Sequence, residues 1–274
     1  DSINREYTNF SRTRRRIADY LLANSDKACF LSLKELSEEV RVSEVTIIEF
    51  TRSVGCENFT DLKSKLQQYI GEKLSPSDKL VLAIDRLKVD DEGIREIVQK
   101  DKVMIEQTMH WLSTEKLKAA IALLKQSTRV YTAGMSISQV VTDFLALRLK
   151  DLGLEVVKFD LSSAEEIASQ LMRARLTDVF IIVSFPKYAP CILALTEYLH
   201  QNQNKTICIT DRLTSPIARH ATVSFACPTG SSVFYNSVTA PIALSNIIVS
   251  ALAVDLKDQL NPYLQRYSET VGFL

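Results

Sequence analysis

Three apolar, β-branched runs in the second half of the chain end in residue types that hold anions. Val130–Ala133 leads into Gly134-Met135-Ser136-Ile137-Ser138, Val179–Val183 into Ser184-Phe185-Pro186-Lys187, and Thr206–Ile209 into Thr210-Asp211. Serine hydroxyls and free backbone N–H groups where a strand hands over to a helix, with a lysine alongside, make a seat for a phosphate or another small anion. Ser, Thr and Asp in such places also serve as plain turn formers and helix caps. Their recurrence at three strand ends favours a site, with Gly134, Ser136, Ser138, Ser184, Lys187 and Asp211 as the candidate ligand-binding residues.

Other chemistries lack their residues. Neither G-x-G-x-x-G nor G-x-x-x-x-G-K-[ST] occurs, so the usual nucleotide loops are missing. No histidine falls at a strand end, no Ser-His-Asp or Cys-His set can be assembled, and nothing activates Asp143, Asp160 or Asp211 as a base. No catalytic residue is therefore assigned. His110, His200 and His220 are not near one another or near a cysteine in a metal-ligand spacing, so no metal and no cofactor is expected. Five cysteines, an odd number without a C-x-x-C pair, read as reduced thiols, buried as small apolar groups, in a cytoplasmic protein.

A second constellation lies near the beginning. Between Ser32 and Gly55, Leu33, Leu36 and Val40 recur at helical spacing, Arg41-Val42-Ser43 breaks the pattern, and Ile47, Phe50 and Val54 restart it. This is the layout of a helix-turn-helix, with Ser43 capping the second helix and Val42 fixing the turn. The exposed face of that helix carries Glu44, Thr46, Glu49, Arg52 and Ser53, where a major groove would meet it. Arg12, Arg14, Arg15 and Arg16 cluster upstream as candidate phosphate grips. The candidate DNA-binding residues are Arg12, Arg15, Arg16, Ser43, Glu44, Thr46, Glu49 and Arg52. Charge does not decide the matter, because residues 1–75 hold 12 Lys/Arg against 12 Asp/Glu. Two helices in this arrangement also occur in domains that never touch nucleic acid.

The elements that position these residues follow from periodicity. Helical patterns cover 13–23 and 59–70, flanking the helix-turn-helix. The Gly-Pro-Ser-containing stretch 71–78 reads as a domain boundary. Helices are expected over 79–88, 92–111 and 114–126, and then the period changes. Five β-branched runs, at 130–133, 156–159, 179–183, 206–209 and 222–226, alternate with helical patterns or, for the last pair, the short stretch 213–220. Near-continuous apolar strands joined by crossovers imply a five-stranded parallel sheet, doubly wound. The fold class is thus an all-α helix-turn-helix domain (1–75), a helical connector (76–127) and an α/β domain (128–274). At 46% hydrophobic and zero formal charge, the 274 residues suit two proper cores and exclude a general polyanion coat. The polar start is unlike a signal peptide, and the apolar run 238–254 reads as a buried or interfacial helix rather than a membrane span.

These features together resemble the RpiR family of bacterial transcriptional regulators, which join an N-terminal helix-turn-helix domain to a C-terminal sugar isomerase (SIS) domain. The likeness spans nearly all of residues 12–255. RRRIADYLLAN and FLSLKELSEEVRVSEVTIIEFTRSVGCENFTDLK are similar to the family's first domain. AGMSISQVVTDFLALRL is similar to the glycine-and-serine loop of SIS domains, SFPKYAPCILAL to their second loop, and ITDRLTSPIARHATVSFACP to their fourth and fifth strands. Four positions depart from the family pattern. Glu49 stands where Arg or Lys is usual, Asn58 where a glycine is usual, Ser136 replaces the second glycine of the first loop, and Pro186 replaces a serine of the second. The resemblance implies operator DNA and a phosphosugar or related acidic metabolite as partners, a homodimer or tetramer, no membrane, and no enzyme activity. Two alternatives stay open: a phosphosugar isomerase-like enzyme, and a DNA-binding protein whose SIS domain serves only for assembly.

Overall fold

The computed structural model describes residues 3, 6–29, 31–63, 65, 66, 90–230 and 236–273. The stretch 71–78 and the helix expected over 79–88 lie outside them. The chain divides into two compact units, residues 1–81 and 82–274.

The first unit is helical. Helix α1 (Arg12–Ala23) is capped by the Ser11 hydroxyl, which accepts from the Arg14 N–H, and buries Ile17, Ala18 and Leu21. A single turn, α2 (Ser25–Ala28), follows. Helix α3 (Leu33–Val40) opens on a reciprocal box: the Glu35 N–H donates to Ser32 Oγ and the Ser32 N–H to the Glu35 carboxylate. It ends at Arg41, which takes a left-handed conformation with φ 54°, and Val42 in the turn packs against the core. Helix α4 (Glu44–Ser53) buries Ile47, Phe50 and Thr51. Gly55, at φ 78°, then turns the chain where a side chain would be strained. A further helix starts at Phe59, capped by Asn58 Oδ1, which accepts from the Asp61 N–H at 2.9 Å. Phe10, Ile17, Leu21, Leu36, Ile47, Phe50 and Leu62 share one core, with the Phe10 and Phe50 rings 5.4 Å apart.

The second unit begins with α5 (Asp91–Trp111) and α6 (Thr114–Gln126), capped by Asp90 and Ser113. Strands β1 (Val130–Gly134), β2 (Val156–Lys158), β3 (Val179–Val183), β4 (Lys205–Thr210) and β5 (Val223–Ala226) form one sheet in the order β2-β1-β3-β4-β5, every pair parallel. The crossovers include α7 (Ile137–Asp151), α8 (Ala164–Arg173) and α9 (Pro190–Gln201). Alternation along the strands feeds two cores, as a sheet covered on both faces requires. Val130, Ile181 and Ile207 pack with Leu124, Leu145 and Leu252, whereas Tyr131, Phe180 and Cys208 pack with Leu195, Leu199 and Ile217.

The apolar run near the end forms α10 (Thr239–Asp255), which buries Leu244, Ile248 and Leu252 and leaves Val254 72% exposed. A last helix, α11 (Lys257–Phe273), is one the sequence patterns did not mark. Among the described residues, no helix is long and apolar enough to cross a membrane.

Candidate functional site

The first candidate surface is the outward side of α4. Ser43 Oγ accepts from the Thr46 N–H at 3.2 Å and lies 2.7 Å from Thr46 Oγ1, so both hydroxyls are engaged at the helix start. Glu44, Glu49 and Arg52 are exposed, while Thr46 and Ser53 are half-buried. Sequence reading passed over Val45, an apolar residue 63% exposed within the first turn. The signal was present, because Val45 falls outside the stripe made by Ile47, Phe50 and Val54.

The arginine cluster divides. Arg16 donates to the Arg41 carbonyl at 2.6 Å, tying α1 to the turn between α3 and α4. Arg15 donates to the Thr8 carbonyl at 3.0 Å and lies 5.9 Å from the Tyr7 ring centroid. Arg12 makes no such contact among the described residues. All three line a surface hollow of about 710 Å³ with Phe10, Thr13 and Asp19. Arg12 is thus unspent, and Arg16 has structural work besides any phosphate contact.

The second candidate site lies at the carboxyl ends of β1 and β3. The chain leaves β1 toward β2 on one side and returns as β3 and β4 on the other, so the strand order reverses between β1 and β3, where open α/β sheets form their ligand crevice. Gly134 and Val183 are paired in register, which sets the 135–138 and 184–187 loops side by side. Ser138 and Ser184 are 5% and 4% exposed, and neither hydroxyl has a hydrogen-bond partner among the described residues. The only fully sealed, unpartnered side-chain oxygens among those residues belong to Thr132 and Asp178. The two serine hydroxyls are not among those fully sealed atoms, although their residues are buried. Gly134 lets α7 come this close: a Cβ there would stand 3.0 Å from Thr142 Cγ2 and 3.1 Å from the Ser138 carbonyl. Lys187 is exposed on the second loop and has an interaction of its own.

Residues 1–73 match the helix-turn-helix domain of the rpiR family, and residues 123–251 match the SIS domain. The chain belongs to the RpiR family. It is a transcriptional regulator that combines the two domains, and it is 25% identical over 221 residues to an uncharacterised HTH-type transcriptional regulator of Haemophilus influenzae, covering 78% of this chain and 74% of that one. The sugar isomerase domain of an RpiR transcription factor from Sphaerobacter thermophilus aligns with a TM-score of 0.61 and 24% identity, over 64% of this chain and 97% of that one. The Vibrio vulnificus NanR protein, solved with ManNAc-6P, aligns with a TM-score of 0.59 and 16% identity, over 100% of this chain and 99% of that one. At these identities the structural likeness is one of fold.

At three of the four positions where this RpiR-family chain departs from its pattern, the structure shows what the residue does. Ser136 keeps a glycine's backbone, φ 53° and ψ −130°, at a cost in strain. Asn58 caps the helix that follows it. The Pro186 carbonyl accepts from the Asn236 side-chain amide at 2.7 Å, and Asn236 Oδ1 in turn accepts from the Thr229 hydroxyl at 2.8 Å. The loop after β5 thus braces the loop after β3, and its end reaches α5, where Asp101 accepts from Thr239 Oγ1 at 3.1 Å. Residues 227–238 have no periodicity, so nothing in the sequence singled out Thr229 or Asn236.

Asp211, at the end of β4, is already bonded. Its Oδ1 accepts from the Tyr188 hydroxyl at 2.5 Å and from Thr210 Oγ1 at 3.2 Å, and its Oδ2 lies 3.5 Å from Arg212. Burial, then the bond to Asp211, push the Tyr188 phenol above its ordinary range. The histidines need a correction. Judged by spacing along the chain none is near another, yet the fold sets the His200 and His220 rings 5.1 Å apart, because α9 and the segment before β5 lie together. Among the described residues, no group of three or more His, Cys, Asp or Glu is placed to hold a metal ion.

Proposed function

We propose that this RpiR-family regulator binds operator DNA through α4 and that its SIS domain senses a phosphorylated sugar or related acidic metabolite in the β1/β3 crevice. The observation that carries the effector site is the pair of Ser138 and Ser184 hydroxyls, without a hydrogen-bond partner among the described residues, on neighbouring strand ends. The α7 N-terminus beside them supplies a favourable dipole for an anion, while the Ser138 and Gln139 N–H groups already donate to the Met135 and Ser136 carbonyls. The NanR neighbour binds a sugar phosphate, which makes ManNAc-6P the first ligand to try. A regulator is favoured over an isomerase because the acid at the β4 end, Asp211, has its Oδ1 engaged by the Tyr188 and Thr210 hydroxyls. The outward side of α10, where Val254 is 72% exposed, is the surface this reading assigns to assembly as a homo-oligomer.

The test is isothermal titration of the full chain with ManNAc-6P, other sugar phosphates and sugar acids. Ser138→Ala and Ser184→Ala should each weaken binding of the best ligand about tenfold, given roughly 1.5 kcal/mol for a hydrogen bond to a charged group. Unchanged affinity in both variants would remove the site from this crevice.

A further inference from the structure

The first turn of α4 holds a feature that charge does not explain. At about 100° per residue, Glu49 and Arg52 stand within roughly 40° of Val45 around the helix, and Ile48 within roughly 60°. The core residues Ile47 and Phe50 lie about 160° and 140° away. Val45 is therefore at the centre of the outward face, with Glu44 and Thr46 at its sides. It is 63% exposed while Ile47 and Phe50 are fully buried, so it adds almost nothing to the core. Its neighbour Thr46 has its hydroxyl engaged by Ser43. The foremost group of the turn is thus a pair of methyls.

We propose that Val45 reads sequence, packing its γ-methyl groups against the C5 methyl of one thymine in the major groove. Among the four bases only thymine presents a methyl group there, and small apolar side chains are its natural contacts. Glu49 and Arg52, one and two turns on, then meet polar base edges or phosphate on either side. The proposal rests on the reading of α4 as the DNA-binding helix.

The test uses the full chain. Repeated selection from a random duplex library gives the preferred site, and each thymine in it is then replaced singly by deoxyuridine, which lacks only the methyl. Loss of one buried methyl-sized apolar contact weakens binding about fourfold. In each half-site that a copy of α4 meets, one replacement should therefore weaken wild-type binding about fourfold and leave Val45→Ala, already missing the contact, within about 1.5-fold. Every other thymine should respond alike in both proteins. Circular dichroism checks that Val45→Ala is folded, as its exposure predicts. If a site is selected but no thymine shows a Val45-dependent methyl effect, Val45 is not a base reader and the DNA-binding reading stands. If nothing is selected, both fall.

Discussion

The Asn236 side-chain amide donates to the Pro186 carbonyl, and this one bond ties the loop after β5 to the loop after β3 across the end of β4. Pro186 lies two residues beyond Ser184, so the brace fixes one wall of the crevice. Asn236→Ala leaves the carbonyl and the Thr229 hydroxyl without this partner, which costs about 1–3 kcal/mol. For a domain of this size that corresponds to a fall in Tm of roughly 2–12 °C. Calorimetry on the variant checks it, and an unshifted transition would show that water replaces the amide without loss.

Ser136 carries the backbone of a glycine on a residue with a Cβ. Ser136→Gly should raise stability by about 1 kcal/mol, the low end of what such strain costs, read as a higher urea midpoint at constant slope. Ser136→Ala keeps the strain and should stay near wild type. A less stable glycine variant would mean that the serine hydroxyl holds the loop.

Arg12 and Arg16 should separate in experiment. Arg16→Ala removes the donor to the Arg41 carbonyl and should cost the helical unit about 1 kcal/mol. Arg12→Ala should leave stability alone and lower the slope of log affinity against log salt by about 1. Equal effects of the two variants on both measurements would refute this division of labour.

The thiols offer a chemical probe. Burial pushes Cys208 up to about 12, and burial followed by the nearby Asp211 charge pushes Cys227 higher still. Cys29 and Cys56 are also buried, and only Cys191 is half-open, with its sulfur 3.0 Å from that of Met135 in the first crevice loop. At pH 8, iodoacetamide should take up one equivalent on the native chain, at Cys191, because the thiolate of an accessible thiol is the nucleophile. A bound effector should slow that reaction. Mass spectrometry locating the label on a different cysteine would contradict the burial pattern.

The sheet was legible because a doubly covered parallel strand must be apolar on both sides. The run 179–183 coincides with β3, and the run 206–209 falls one residue short of β4 at each end. The helix-turn-helix was legible from two capped, amphipathic segments. What stayed hidden depends on contacts between distant positions. His200 and His220 are twenty residues apart in sequence, Asn236 and Pro186 fifty. Val45 was hidden differently: a search for polar readers discards an apolar residue, even where the helix turns it outward.

The core of the helical unit and the larger core of the sheet also differ in when they can exist. Every buried member of the first lies between Phe10 and Leu62, whereas the sheet core needs residues from Met104 to Leu260. Parallel strands pair only after their crossovers are made, so loop closure makes that core slow to assemble. Synthesis runs from the N-terminus, and domains fold as units when their last residue emerges. The helical domain is therefore complete on the ribosome while more than half of the sheet domain is unmade, and it reaches its native form without waiting for the sheet.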